Sequence, residues 1–307
     1  MTATALRALL HSGRVTHVPG VHDPATAALA VAAGHRAVHL SGAAVSATML
    51  GRPDLGFVPA TQLADRASIL VPVLNGVPVL ADADTGFDDP EHAVWTGLAY
   101  HRAGISGLHL PDRAGISGLP LPDRAGISGL RLPDRAGATG RHEVIAPGPA
   151  AAKVRALADR VPELVVIART DAYAADGLGE TIRRCVAYAE AGADAILPGG
   201  VHDLGELDRI SRAVNGVPLV VDRSEAAGSP PASTDSDLAA AGVRLVLHPV
   251  AALLAAMRAA SLAYRAIAET GTAEQVDRLP WAAFTALAGP DETADSDARS
   301  VPAGLQT

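Results

Sequence analysis

The chain has 307 residues, 25 of them basic and 33 acidic, for a formal net charge of −8. That balance excludes a general polyanion binder, which needs clustered Lys and Arg; a few local positive groups still suffice for a small anion. Hydrophobic residues at 49% and charged residues at 19% exclude wholesale disorder, and aromatics at 3% leave the core to Ala, Val, Leu and Ile.

Short apolar runs alternate with Ala-rich stretches. The predicted elements are a strand over Thr16–Val21, a helix over Pro24–Ala33, a strand over Ala37–Ser41 and a strand over Val77–Ala83. A helix over Pro90–Ala103 and a strand over Gly107–Leu110 follow, then a helix over Gly148–Arg160 and a strand over Leu164–Ala168. The series continues with helix Leu178–Ala191, strand Ala193–Leu197, helix Leu204–Asn215, and strands Pro218–Val221 and Arg244–Leu247. Nearly continuous apolar strands fit a parallel sheet covered on both faces. Eight of them, interleaved with helices, predict an α/β chain folded as a (β/α)8 TIM barrel. A doubly wound sheet is the runner-up, but no GxGxxG follows the first strand. The barrel is assigned residues 1–270. Val250–Thr270 is helical by composition, 271–307 form a helical extension with an amphipathic piece at Ala273–Leu287, and a loose polar tail starts at Gly289.

One segment breaks the pattern. Residues 102–112 read RAGISGLHLPD, 113–123 RAGISGLPLPD and 124–134 RAGISGLRLPD, with a decayed fourth start at Arg135. A period of 11 in so few copies points to a tandem duplication rather than a solenoid. The first copy continues directly from the preceding helix and is predicted to be the fourth strand. The remainder, a loop at 113–140, is then an excursion on the face where barrel active sites lie.

Cys185 is the single cysteine, so no internal disulfide and no multi-cysteine metal site can form. Within TIRRCVAYAEAGA it reads as a packed helix thiol. The N-terminus MTATALRALLHSGR lacks a signal-peptide core, and no stretch reaches the ~18 apolar residues of a membrane span. A cytoplasmic protein with neither a nucleic-acid nor a membrane partner is expected.

Residues able to carry chemistry gather at strand ends. Asp82 and Asp84 end the run VPVLADAD; carboxylates at i and i+2 of a strand share a face and suit Mg2+, with Mn2+ as the alternative. Ser41 and Gly42 follow the second strand, where a hydroxyl and backbone amides can hold a carboxylate or phosphate. Arg169, before Thr170 and Asp171, can clamp a carboxylate bidentately. Asp54 lies on the second loop and His109 in the fourth strand. Each also has a structural reading: Ser41 as a helix cap, Arg169 as a salt-bridge partner, His109 as a packed histidine.

These pieces resemble the isocitrate lyase/phosphoenolpyruvate mutase superfamily, most closely its methylisocitrate lyase-like members. The matching segments are PGVHDPATAALAVAAGHRAVHLSGAAVSATMLGRPDLGF, VPVLADADTGF, RAGISGLHLPD, VVIARTDA, AEAGADAILP and GVRLVLHPVAAL, in family order over roughly residues 15–260. The resemblance implies a barrel whose C-terminal helix is swapped between partners in a homodimer or homotetramer. It also implies Mg2+-dependent chemistry next to a carboxylate, on 2-oxo acids or their hydroxy-acid adducts. By position, Ser41, Gly42 and Ala43 bind the substrate's carboxylate end. Asp84 is the direct metal ligand, and Asp54 and Asp82 hold the ion through water. Arg169 contacts the substrate and His109 lines the pocket.

The chain also departs from the family. The lyase loop with a KRCGH-like motif is replaced by repeat sequence without cysteine or lysine, and the mutase Lys-x-Asn-Ser loop is absent. Family glutamates are replaced by Pro111 and Gly199, the seventh-strand asparagine by Asp222, and the aromatic before Ser41 by His39. For the acid–base group, His109, Asp112 and His142 are the candidates. Three functions stay open: a C–C lyase or related hydrolase on a small 2-oxo or 2-hydroxy di- or tricarboxylate, P–C chemistry of the phosphonopyruvate hydrolase or mutase type, and a silent scaffold barrel.

Overall fold

The computed structural model describes residues 2–54, 56–84, 89–113, 144–225 and 233–288. Two compact units divide the chain, Met1–Leu254 and Ala255–Thr307. The first is a closed barrel of eight parallel strands in sequential order.

In chain order, α1 (Thr2–Leu10) precedes β1 (Thr16–Val21), α2 (Pro24–Ala32) and β2 (Val38–Leu40). Next come α3 (Gly42–Leu50), α4 (Ala60–Leu70), β3 (Val79–Asp82), α5 (Pro90–Arg102) and β4 (Gly107–Pro111). The second half holds α6 (Pro147–Arg160), β5 (Val165–Thr170), α7 (Tyr173–Glu190), β6 (Ala195–Pro198), α8 (Leu204–Ala213), β7 (Leu219–Asp222), α9 (Asp235–Ala240) and β8 (Val243–His248). All eight predicted strands form. β4 comes from the first copy of the repeat; of the later copies only Arg113 is described, and His142 lies outside the described residues.

Alternation along each strand sorts the core into two layers. One set, with Val18, Leu80, Val165, Ile167, Leu197, Val220, Leu245 and Leu247, fills the barrel interior. Leu6, Leu9 and Leu10 of α1 join that cluster, and Arg7 ties the helix to the barrel through Asp194 at 2.9 Å. The other set, with Val38, Leu40, Ala81, Leu108, Val166 and Ile196, packs under the surrounding helices. Among the largest fully buried side chains only Tyr100 and Tyr188 are aromatic, as the composition requires. This scaffold presents the carboxyl ends of β2, β3, β4, β5 and β7 at one rim.

α7 begins at Tyr173 instead of the predicted Leu178, but Gly177 within it has φ 74 and ψ −178. The regular helix therefore starts where the sequence places it, after a left-handed glycine. The second unit carries most of α10 (Ala251–Thr270) and all of α11 (Trp281–Ala288), so the division falls inside the helix that the sequence assigned to the barrel. By length and composition alone α10 reaches what a membrane crossing requires, although Arg258 and Arg265 interrupt it.

Candidate active site

The acidic end of β3 is less regular than its spacing suggests. The strand stops at Asp82, and Asp84 turns into the left-handed region at φ 47. Its backbone N–H then donates to Asp82 Oδ1 at 3.1 Å. The two carboxylates are thus not a same-face strand pair. They belong to a turn that Asp tolerates better than most residues.

The second loop closes on the same place. A Cβ built on Gly42 would stand 2.9 Å from Asp82 Oδ2 and 3.2 Å from Asp54 Oδ2. Two carboxylates distant in sequence therefore meet over the first residue of α3, and a side chain there would push them aside. Ser41 is buried and caps that helix, accepting from the Ala44 N–H at 3.3 Å. Gly42 is buried and Ala43 half-buried, and both lie in the first turn, where amides have no intrahelical partner. The carboxylate oxygens are hard donors that suit a small divalent cation keeping most of its waters, while the helix N-terminus beside them suits an anionic ligand. Among the described residues, no three His, Cys, Asp or Glu side chains are grouped closely enough to hold an ion by themselves.

Deeper in the barrel lie two facing histidines. His39 Nε2 and His109 Nε2 are 3.2 Å apart, and His109 Nε2 lies 3.8 Å from Asp82 Oδ1. Burial first, then neighbouring charges, lowers both to about 3. Both rings are therefore neutral near pH 7 and share one N–H between their Nε2 atoms. Their Nδ1 atoms have no partner in the protein.

Arg169 projects from β5 beside two acids. Its Nε donates to Asp171 Oδ1 at 3.0 Å, and its Nη1 lies 3.6 Å from Asp222 Oδ2. Burial works against its charge, but Asp171 and Asp222 outweigh that and hold the guanidinium firmly protonated. Asp171 is likewise buried, yet Arg169 and Arg113 keep its carboxyl well below the usual carboxylate range. Asp222 moves the other way, because burial outweighs the pull of Arg169.

Asp112 is 2% exposed. It accepts from Asp171 N–H at 3.0 Å, Arg184 Nη1 at 2.9 Å and Tyr188 OH at 2.7 Å. Three donors on one buried carboxylate make it a fixed anchor behind β5 rather than a group open to a ligand. Cys185 is fully buried, and burial pushes its thiol up to about 12. The sequence reading missed Asp171, although its i+2 spacing from Arg169 was a signal. It noted His39 and Asp222 only as departures.

Residues 6–268 match the description of the phosphoenolpyruvate phosphomutase family. The chain belongs to that family. A 2-methylisocitrate lyase of Halalkalibacterium halodurans is 33% identical over 272 residues, 89% of this chain and 84% of that protein. The 2,3-dimethylmalate lyase of Eubacterium barkeri is 32% identical, covering 84% and 83% of the two chains. A solved phosphonopyruvate hydrolase, in complex with oxalate and Mg2+, superposes with a TM-score of 0.79 at 27% identity, over 98% of this chain and 100% of that one. This kinship makes the chain an enzyme of the carbon–carbon lyase kind and sets the silent-scaffold reading aside.

Proposed function

We propose that the chain is a Mg2+-dependent lyase, or a related hydrolase, cleaving a C–C bond of a small 2-oxo or 2-hydroxy di- or tricarboxylate. The observation that carries this is the meeting of Asp82 and Asp54 over Gly42, beside the Asp84 turn and the α3 amides. Asp84, Asp82 and Asp54 would hold the ion. When bound, it supplies Lewis-acid stabilisation of the negative charge that develops as the C–C bond breaks.

The protein's own groups do the rest. Arg169 binds one carboxylate of the substrate. Ser41 and the amides of Gly42 and Ala43 bind the other end, where the helix N-terminus favours an anion. In a 2-hydroxy acid, the hydroxyl loses its proton as its oxygen becomes a carbonyl, and the electron pair of the broken bond passes to the carbon beside the second carboxylate. That carbon must then be protonated. Among the described residues the candidate for that proton is His109, on its place 3.8 Å from Asp82 Oδ1; binding of the ion and substrate must raise its basicity for it to serve. Asp112 is a positioning residue, since its oxygens are already taken. The P–C alternative stands second, because the mutase loop is missing and the 2-methylisocitrate and 2,3-dimethylmalate lyases are relatives at 33% and 32% identity. A cytoplasmic homodimer or homotetramer completes the proposal; Met257, Tyr264 and Ile267 of α10 are exposed at 56%, 73% and 50% and support assembly through that helix.

The test is release of a 2-oxo acid from 2-methylisocitrate and 2,3-dimethylmalate, the substrates in the relatives' names, and of oxalate from oxaloacetate, with and without Mg2+. Metal-dependent turnover of at least one is expected. Turnover of phosphonopyruvate alone would transfer the assignment to P–C chemistry.

A further inference from the structure

Arg169 carries five N–H donors, and their allocation decides what the site can accept. Asp171 occupies one side of the guanidinium: Nε lies 3.0 and 3.2 Å from its two oxygens and Nη2 3.0 Å from Oδ1. At the end of the fork, Nη1 meets the looser Asp222 contact at 3.6 Å among the described residues. Asp171 is itself pinned, through the Nε–H of Arg113 and through its own N–H on Asp112.

The room for this carboxylate comes from another strand end. Gly199 follows β6, is buried, and donates its N–H to Thr170 O at 2.8 Å. A Cβ there would lie 2.3 Å from Asp171 Oδ1 and 3.0 Å from Thr170 O. No rotamer of a side chain at 199 relieves this, because the clash is at Cβ itself. The group able to give way is the Asp171 carboxylate, which would turn off Arg169, so Gly199 leaves that carboxylate its present place.

We propose that Asp171, accommodated by Gly199, is the positioning residue that locks the Nε side of Arg169 and leaves only its Nη1/Nη2 end for a ligand carboxylate. The pairing selects ligands that present a carboxylate end-on and excludes those that need the Nε edge. It rests on the carboxylate-binding role of Arg169 proposed above.

The experiment uses wild type, Gly199→Ala, Asp171→Ala and the double variant. The first readout is the Arg169 Nε–H resonance of the ligand-free enzyme, assigned by its absence in Arg169→Lys. A protected signal is expected in wild type, lost in each single variant. The second is oxalate titration in excess Mg2+. Each single variant should bind oxalate about tenfold or more weakly, the scale of a lost hydrogen bond to a charged group. The double variant should be no worse than Asp171→Ala, since the clash and the contact are one event. A Gly199→Ala protein with the wild-type resonance, or losses that simply add, overturns the proposal. If Asp171→Ala does not fold, Gly199→Ala alone carries the decision. The resonance is independent of any ligand. Wild type that shows it but binds no oxalate therefore refutes the carboxylate site while upholding the Asp171 lock.

Discussion

Asp84→Asn is expected to abolish Mg2+-dependent stabilisation and to lower turnover by about a thousandfold. Asparagine is the informative substitution because Asp84 sits at φ 47, a conformation Asn also accepts; alanine would mix backbone strain with the lost charge. A ligand at a hundred times its Kd stabilises the native state by about 2.7 kcal/mol. For a barrel of this size that is a rise in Tm of about 5–10 °C. Wild type should show the rise with Mg2+ or Mn2+, and the variant should not. The loss in rate follows from removing several kcal/mol of charge stabilisation from the transition state. Equal thermal shifts in both proteins would take the ion away from Asp84.

The histidine pair predicts an acid-sensitive barrel. His39 and His109 are lowered to about 3 in the folded state, whereas an unfolded histidine titrates near 6.5. Between those values the unfolded chain binds protons that the folded chain refuses. Stability is therefore complete above about pH 6.5 and falls as the pH drops, by about 1.4 kcal/mol per pH unit for each histidine. Asp171 does not contribute in this window. Its carboxyl is depressed, so its share is lost only as the pH falls below the unfolded carboxylate value of about 3.9. Urea denaturation at pH 7, 6 and 5 reads the slope directly. His39→Gln and His109→Gln should each flatten it, and slopes unchanged in both would show that the rings titrate normally.

The strands were legible because a parallel strand buried on both faces is an uninterrupted apolar run; VVIA and AILP have no other comfortable place. Helices α1, α3, α4 and α9 were not named from sequence. α4 has no side-chain cap and α9, despite a capping box at Thr234 and Asp237, spans only six residues; α3, capped by Ser41 and ended by the left-handed Gly51, was signalled but follows its strand without a loop. At the site, Asp82 and Asp84 were visible as a motif, but the left-handed turn between them was not. The meeting of Asp54 with Asp82 over Gly42, the His39–His109 pair and the fit of Asp171 against Gly199 each join residues from different βα units. Such contacts depend on barrel closure, and no local pattern encodes them. Gly199 shows this best: as a letter it is a missing glutamate, and in space it is the vacancy that a neighbouring carboxylate fills.

The central claim, a divalent ion beside Asp84 receiving a carboxylate ligand, is tested most directly by diffraction from crystals of the enzyme grown with Mn2+ and oxalate. An anomalous peak next to the Asp84 carboxylate, with oxalate reaching toward Arg169, is the predicted result. A metal-saturated crystal with no anomalous density at the rim formed by Asp54, Asp82 and Asp84 would contradict it.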